Sequence, residues 1–321
     1  MPELPEVEVV RAGLEPAVTG ATVTSVTVFD DRSLKRHRGP SEDFIDRLQG
    51  RMMLSAQRRG KFLWIPLGAA PGEARRNGEA RRNGEARRNG EARAPGEPEA
   101  LVIHLGMSGQ VLLRSRNTDD ARTRIRLELQ HPDHEPHRLN FVDQRIFGSM
   151  AIDRLVVAND SAGQTLGQLV PTQVAHIARD PIDEHFDDDR FLTRLAAKNT
   201  TIKRAMLDQT LVSGIGNIYA DESLWGAKVH YDQPTGTLSK SRAKSLLGEV
   251  RTVLGKALAE GGTSFDAQYL NVNGQSGYFA HSLKAYGRQG EPCDRCGRLI
   301  VRESFMNRGS HFCAYCQRIR P

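Results

Sequence analysis

Residues 293–316 read CDRCGRLIVRESFMNRGSHFCAYC and contain all four cysteines of the 321-residue chain. Cys293 and Cys296 form one CxxC pair, and Cys313 and Cys316 form a second pair after sixteen intervening residues. Four thiolates in two close pairs can close a tetrahedral shell around Zn²⁺ and leave no coordination position open for catalysis. We therefore predict a β-hairpin finger that holds one structural zinc, with redox-active or free buried thiols as the alternative.

The region around this finger is basic. Residues 281–321 contain eight Lys and Arg residues and three acidic residues, which gives a net charge of +5. The formal net charge of the whole chain is +6, so most of the excess lies at this end. A basic terminal module favours a polyanionic partner such as nucleic acid.

The N-terminus does not have the pattern of a targeting segment. It reads MPELPEVEVV, and its three glutamates stand where a signal peptide would carry positive charge before an apolar stretch. The sequence also contains no apolar run long enough to span a membrane. We therefore expect a cytoplasmic protein without a membrane partner.

Helix and strand patterns divide the chain into a β-rich part and a helical part. Residues 1–18 favour a helix, because Pro5 suits a first turn and apolar residues recur at helical spacing. Residues 21–156 contain short β-branched or alternating segments, which predict a β-sandwich or flattened barrel with the first helix packed against it. Later helices are predicted at 188–198, 201–211, 217–227 and 239–260, with a glycine-rich turn before the third.

Residues 72–93 consist of GEARRN three times in tandem, followed by GEAR. A glycine at every sixth position weakens a helix, and the segment has no apolar face to pack. We interpret it as a low-complexity insertion in a loop between two strands. An accessory basic arm for nucleic acid is the alternative.

The resulting fold class is α+β and multidomain. The predicted units are a catalytic β-sandwich domain at 1–170 with the insertion at 72–94, a linker at 171–187, a helical domain at 188–280 and the zinc finger at 281–321.

Five motifs then occur in a characteristic order. They are MPELPEVE at the start, HLGMSG at 104–109, DQRIFG at 143–148, GIGNIYADE at 214–222 and the terminal finger. Along nearly its whole length, apart from the repeat, the chain resembles the bacterial formamidopyrimidine-DNA glycosylases. The resemblance implies that 188–280 is a helix–two-turns–helix DNA-binding domain and that the partner is damaged double-stranded DNA, bound by a monomer.

The same resemblance implies two activities of base excision repair. The first is a DNA-formamidopyrimidine glycosylase that excises oxidised purines such as 8-oxoguanine and formamidopyrimidines. The second is a DNA-(apurinic or apyrimidinic site) lyase that cleaves the strand by β,δ-elimination. One alternative is an endonuclease VIII-type enzyme for oxidised pyrimidines, although that branch typically begins PEGPE. The other is a non-catalytic zinc-finger DNA-binding paralogue, which the joint retention of Pro2, Glu3, Lys61 and Arg308 disfavours.

Pro2 becomes a free secondary amine if Met1 is removed, and by resemblance its nitrogen attacks the damaged nucleotide and forms a Schiff base. The alternative is that Pro2 only starts the helix and has no chemical role. Glu3 is then the general acid, and Glu6, one helical turn on, is a supporting acid or simply favours the helix dipole. Lys61 resembles the lysine that assists β-elimination, and Arg308 resembles the finger arginine that assists δ-elimination.

Three residues match those that the family inserts into the duplex. Met107 and Phe147 would fill the space of the extruded base, and Arg145 would hydrogen bond to the orphaned cytosine. From spacing alone, ordinary core packing is the alternative for the two apolar residues. Many relatives carry Pro at 144 and a cation at 146. Here Gln144 and Ile146 stand there, so we expect one phosphate contact to be missing or supplied elsewhere.

Further DNA contacts are implied by resemblance. Asn217 follows the glycine turn, where backbone N–H groups at a helix start suit a phosphate, although helix capping explains the turn as well. Lys198 and Lys203 resemble other DNA-contacting lysines, and Arg122 stands where many relatives carry a DNA-contacting histidine. Residues 273–279, NGQSGYF, resemble the loop that covers the flipped base.

Overall fold

The computed structural model describes residues 2–69, 97–159, 165–263, 272 and 279–320, without the side chains of 159 and 165–167. The predicted insertion at 72–94 and residues 273–278 of the predicted covering loop lie outside the described residues.

The first helix, α1, spans Leu4–Val18, as its pattern predicts. Pro5 lies in its first turn, where the missing N–H costs no hydrogen bond. Val7, Val10 and Leu14 recur at helical spacing on its buried face. They pack into the core of the β-domain, so the helix fixes the N-terminus of the chain against that domain.

Ten antiparallel strands form the β-domain in the described part of the chain, and most of them lie within residues 21–156, where the sequence predicts short strands. The sheet follows one hydrogen-bonded path, β10-β9-β5-β4-β2-β1-β7-β8-β6, with β3 paired to β4. The strands are β1 (Thr22–Val28), β2 (Met52–Met53), β3 (Gln57–Arg59), β4 (Phe62–Gly68), β5 (Glu99–His104), β6 (Gly109–Ser115), β7 (Thr123–Gln130), β8 (His137–Asp143), β9 (Ser149–Asn159) and β10 (Thr165–Pro171).

The sheet folds over a shared core, which confirms the predicted sandwich. Residues from β1 and from β4 to β9 belong to one buried cluster. The strands near the two ends of the path, β9 and β6, therefore face each other across this core. Alternation along β4 places Leu63 and Ile65 in this core and Trp64 in a second cluster on the outer face. A short helix, α2 (Ser41–Leu48), packs into the first core through Phe44.

The segment predicted as a linker is packed against the β-domain. Val174 and Ile177 are buried in the second cluster, beside Trp64. The connection between the two domains therefore has a fixed path over the sandwich.

The helical domain has the four predicted helices within a few residues of their predicted bounds. They are α3 (Asp188–Ala197), α4 (Ile202–Leu207), α5 (Asn217–Gly226) and α6 (Lys240–Ala259). Their apolar faces share one cluster with Leu4 of α1, so the N-terminus contacts both domains.

The finger is an antiparallel hairpin of β11 (Val301–Phe305) and β12 (Arg308–Phe312). Met306 and Asn307 form its tip with left-handed φ values of 48° and 59°. Phe305 and Phe312 pack into the core of the helical domain, which anchors the hairpin. Arg308 is the first residue of β12 and therefore lies next to the tip. Within the described part of the chain, the helices are too short or too polar to cross a membrane.

Candidate active site

The start of α1 docks into the glycine turn that precedes α5. The backbone N–H of Leu4 donates to the carbonyl of Gly214 at 3.0 Å. Gly214 has φ +85°, and a Cβ there would lie 2.6 Å from Leu4. The turn therefore needs glycine both for its backbone conformation and for the close approach.

Glu3 is buried at this junction, with 2% of its surface exposed. Its carboxylate accepts hydrogen bonds from the backbone N–H groups of Gly216 at 2.6 Å and Ile218 at 3.0 Å. These groups form the N-terminus of α5, where free N–H groups and the helix dipole favour an acidic partner. The side chain is therefore fixed next to Pro2, which is also buried.

Burial and a neighbouring lysine set the protonation of this acid. Burial raises the pKa of Glu3, and the positive charge of Lys61 opposes that rise. Burial likewise lowers the pKa of Lys61, and Glu3 opposes that change. Because the pKa of Glu3 is raised, its protonated form persists to higher pH than in an exposed glutamate, as a general acid requires.

Glu6 supports Glu3. Its Oε2 accepts the backbone N–H of Glu3 at 2.7 Å. Its Oε1 accepts the Tyr219 hydroxyl at 2.5 Å and the backbone N–H of Thr263 at 2.7 Å. Burial and the negative charge of Glu6 raise the pKa of Tyr219 well above its ordinary value, so the phenol remains a donor. Glu6 therefore holds the helix start in place.

A cleft of about 390 Å³ opens beside this junction, which is a size typical of ligand sites. The Lys61 ammonium lies in it and donates to the carbonyl of Ile215 at 3.0 Å. Arg308 lines both this cleft and a second one of about 310 Å³ that reaches Glu3. The polar side chains of the larger cleft are Lys61, His104, Gln209, Asn217 and Arg308.

His104 is a site residue to which the sequence analysis assigned no role. It lies at the end of β5, and its ring contacts that of Phe62 with centroids 4.8 Å apart. Burial, with the charges of Arg36, Lys35 and Lys61, lowers its pKa to about 4, so it is a neutral polar group at neutral pH. Its position three residues before Met107, inside HLGMSG, was the available signal.

A second group of predicted residues lies on two loops, one after β5 and one after β8. Met107 and Phe147 are 39% and 40% exposed, which contradicts core packing and leaves two large apolar side chains in solvent. The Arg145 guanidinium lies over the Phe147 ring, 4.7 Å from its centroid. We call residues 143–148 the reading loop.

Asp143 holds the reading loop from within. Its carboxylate accepts the backbone N–H groups of Arg145 and Ile146, each at 3.0 Å, and of Gly148 at 2.7 Å. It also accepts the hydroxyl of Ser108 at 2.5 Å, which ties in the loop that carries Met107. This one buried carboxylate therefore fixes both loops together.

The backbones of these loops are in direct contact at Gly106. A Cβ at this position would lie 2.4 Å from the carbonyl carbon of Phe147, and the residue has φ +65°. Arg122 adjoins the same region, because its carbonyl accepts the backbone N–H of Asp143 at 3.3 Å.

The two predicted DNA-contacting lysines are already paired. Lys198 forms an ion pair with Asp208 at 2.6 Å, and 33% of its side chain is exposed. Lys203 is fully buried and pairs with Asp221 at 2.6 Å, instead of lying on the surface as a DNA contact would. Its ammonium also donates to Ser310 of the finger at 3.0 Å, so it joins the helical domain to the hairpin.

The acidic neighbours on α5 complete this connection. Asp221 also accepts the backbone N–H of His311 at 2.8 Å. Glu222 accepts three consecutive backbone N–H groups, of Lys284, Ala285 and Tyr286, at 2.7 to 2.8 Å. Asn217 donates to the carbonyl of Gly309 at 3.0 Å, directly after Arg308. The finger is therefore positioned by α5.

The four cysteines have the arrangement that zinc requires. Their ligand atoms all lie within 4.8 Å of one another, and the Sγ atoms of Cys296 and Cys313 are 3.5 Å apart. A tetrahedral zinc–thiolate site has sulfur atoms about 3.8 Å apart. The indole N–H of Trp225 points to Cys293 Sγ at 3.4 Å, a hydrogen bond typical around zinc thiolates. The residues Cys293, Cys296, Cys313 and Cys316 fit one structural zinc ion.

Fold and site together define a class: a DNA glycosylase of base excision repair that also acts as a lyase. Three family descriptions match the chain in order. They are the formamidopyrimidine-DNA glycosylase N-terminal domain at 1–150, the H2TH domain of the same enzymes at 177–268, and a zinc finger found in FPG and IleRS at 290–319. The chain belongs to the formamidopyrimidine-DNA glycosylase family.

Individual relatives agree with this assignment. The formamidopyrimidine-DNA glycosylase of Leifsonia xyli is 58% identical over 99% of this chain and 100% of its own length. A Lactococcus lactis Fpg complex with DNA that contains an abasic site matches 98% of this chain and 99% of that protein, with a TM-score of 0.74 and 27% identity. A complex of the wild-type Lactococcus enzyme with DNA that contains N7-benzyl-Fapy-dG has a TM-score of 0.75 and 28% identity, and covers 98% and 99% of the two chains. These findings confirm the predicted enzyme rather than the non-catalytic paralogue.

Proposed function

We propose that the cleft receives an oxidised purine nucleotide extruded from duplex DNA, and that Pro2 is the nucleophile. The observation that carries this proposal is the position of Glu3, a buried acid with a raised pKa that directly follows Pro2. The Pro2 nitrogen would bond to C1′ of the sugar as the bond from C1′ to the base breaks. Opening of the sugar ring then gives an iminium that links protein and deoxyribose.

Glu3 would donate the proton that this step requires. Its protonated carboxyl would transfer a proton to the sugar ring oxygen as the ring opens, while Glu6 holds the backbone of Glu3 in place. The hydrogen bonds from Gly216 and Ile218 keep the acid fixed through both states.

Strand cleavage would follow by two eliminations. Loss of a proton at C2′ expels the 3′ phosphate, and loss of a second proton at C4′ expels the 5′ phosphate. We propose that Lys61 assists the first step and Arg308 the second, because each cation lines the cleft and can neutralise a phosphate that leaves. Asn217 and neutral His104, in the same cleft, would hydrogen bond to phosphate oxygens.

The exposed loops would read and support the duplex. Met107 and Phe147 would occupy the space of the extruded base, and Arg145 would donate hydrogen bonds to the orphaned cytosine. Arg122, which adjoins the reading loop, and Lys198 of the helical domain are further proposed DNA contacts. Lys203 would act on DNA through the finger, because its own ammonium is buried.

The chain would work as a monomer in the cytoplasm, where bacterial DNA is accessible. We propose the domain bounds given by the sequence: a catalytic domain at 1–170, a linker at 171–187, a helix–two-turns–helix domain at 188–280 and the finger at 281–321.

The decisive experiment is borohydride trapping on a duplex with 8-oxoguanine opposite cytosine. Reduction of the iminium should give a covalent protein–DNA complex, and peptide mapping should place the DNA on Pro2. Protein that retains Met1 or an uncleaved N-terminal tag should give no trapped complex, although no side chain has changed. Full trapping by blocked protein would exclude Pro2 as the nucleophile. A thymine-glycol duplex tests the endonuclease VIII-type preference in the same assay.

A further inference from the structure

Lys35 lies in a basic segment, DRSLKRHRG at 31–39, that none of the proposed chemical steps uses. Its side chain is exposed, and its ammonium donates to two consecutive carbonyls of the reading loop. These are the carbonyls of Ile146 and Phe147, both at 2.9 Å. Because an ammonium has three N–H groups, two are committed to the loop and one is left for another acceptor.

The loop that Lys35 contacts has an unfavourable backbone. Ile146 has φ +56°, in the left-handed region that β-branched residues rarely adopt. Such a conformation persists only where the surroundings determine it. Asp143 holds the N–H groups of this turn from inside, and Lys35 holds its carbonyls from outside. Two opposite charges therefore fix the peptide groups on both sides of the strained residue.

We propose that Lys35 is a positioning residue for base reading, which sets Arg145 and Phe147 by clamping the carbonyls of residues 146 and 147. The proposal rests on the function proposed above, in which these two side chains enter the duplex.

A simple phosphate contact by Lys35 makes different predictions. A phosphate contact would weaken binding to every duplex equally and reduce the slope of log affinity against log salt by about one. A clamp instead changes how well Arg145 distinguishes the opposite base, and its effect disappears when Arg145 is absent. The two roles can therefore be separated by specificity and by a double-mutant cycle.

The experiment compares Lys35→Met, Lys35→Arg and Arg38→Met under single-turnover conditions. Arg38 is an exposed cation of the same segment, so Arg38→Met removes equal charge and serves as the matched control. Each variant is tested on duplexes with 8-oxoguanine opposite cytosine or adenine, in the wild-type background and with Arg145→Ala. Thermal unfolding of each variant monitors the fold.

We expect Lys35→Met to reduce excision opposite cytosine roughly tenfold, because it removes both hydrogen bonds that hold the loop carbonyls and both are exposed to solvent. Excision opposite adenine should fall much less, Lys35→Arg should retain most activity, and the effect should shrink to about twofold or less with Arg145→Ala. An equal loss on both duplexes, additive with Arg145→Ala and with a lower salt slope, would overturn the clamp in favour of a phosphate contact. Unchanged excision in Lys35→Met would overturn it as well. Wild-type protein without any excision would instead refute the proposed function.

Discussion

Two pairs of buried carboxylates in this molecule look alike but differ in their surroundings. Glu3 and Glu6 begin α1, whereas Asp221 and Glu222 lie side by side on α5, and all four are at most 3% exposed. Glu3 borders a cleft and lies near the cation of Lys61. Glu222 is surrounded by backbone N–H groups of the segment that leads into the finger. Burial alone therefore does not identify a catalytic acid.

The cleft and the neighbouring cation make the difference. Burial raises the pKa of both Glu3 and Glu222. At Glu3 the positive charge of Lys61 opposes the rise in pKa more strongly than the backbone hydrogen bonds from Ile218 and Gly216 do, whereas at Glu222 the opposition comes from backbone hydrogen bonds. An acid that borders a cavity and has a cationic side chain beside it is placed to exchange its proton with a substrate. Glu222 accepts three backbone donors of residues 284–286 and so joins α5 to the segment before the finger.

The strongest test applies the same substitution to both sites. Glu3→Gln should reduce the rate of base removal by about 10²- to 10⁴-fold, because it removes a transferable proton and keeps the shape of the side chain. Glu222→Gln should leave the rate of the folded enzyme within about threefold and lower the free energy of unfolding by about 1–3 kcal/mol, because an amide cannot accept all three N–H groups. Single-turnover excision and urea unfolding measure the two effects. Equal losses of excision rate in Glu3→Gln and Glu222→Gln would show that the two carboxylates do not differ in their catalytic role.

The second test separates the finger from the catalytic end. Cys296→Ser should lose zinc and most strand cleavage, because the metal supplies much of the folding free energy of so small a module. The β-domain should stay folded, since its core is independent of the finger. Metal analysis, cleavage assays and limited proteolysis give the three readouts. Active wild-type protein without zinc would contradict the structural role of the metal.

The third test addresses Lys61, whose positive charge opposes the rise in the pKa of Glu3. In the proposed mechanism Glu3 acts in its protonated form, so base removal is fast below the pKa of Glu3 and is lost as the pH rises through that pKa. Lys61 lowers that pKa, so Lys61→Met should raise it and move the falling limb of the pH profile to higher pH. Lys61→Arg keeps the charge and should leave the limb near its wild-type position. If the falling limb moved to lower pH in Lys61→Met, that limb would report the titration of a group other than Glu3.

The smallest effect is expected for a segment that belongs to neither site. Deletion of residues 72–93 should leave cleavage within about twofold, because the repeat has no apolar face that could pack. The salt dependence of binding should also stay the same. A large loss at moderate salt, with a shallower log–log slope, would show that its seven arginines contact DNA.

Local pattern was sufficient to predict most elements of the fold. The spacing of Val7, Val10 and Leu14 identified α1, and the two CxxC pairs identified the finger. The strands of the sandwich follow from alternation, but their closure into one core depends on pairings such as β1 with β7, which are about a hundred residues apart. The chemical roles came from resemblance to a family, not from spacing.

The residues that sequence reasoning placed poorly depend on contacts between distant segments. Lys203 stands in a helix pattern that suits an exposed cation, yet Asp221 and Ser310 from two other elements enclose it. The place of His104 in the cleft beside Lys61 and Arg308 is evident only from the structure, because the path of β5 brings it there. The clamp from Lys35 to the reading loop crosses more than a hundred residues.

The hydrogen bonds from Gly216 and Ile218 to Glu3 join residues that are 213 and 215 positions apart. A ribosome makes the N-terminal amine first and these donors much later, and Arg308 follows near the end. A growing chain that has not reached residue 216 therefore lacks the donors that hold the Glu3 carboxylate, and a chain that ends before residue 308 lacks one of the two proposed elimination cations. In the proposed mechanism, a chain can therefore carry out both eliminations only when its synthesis is nearly complete.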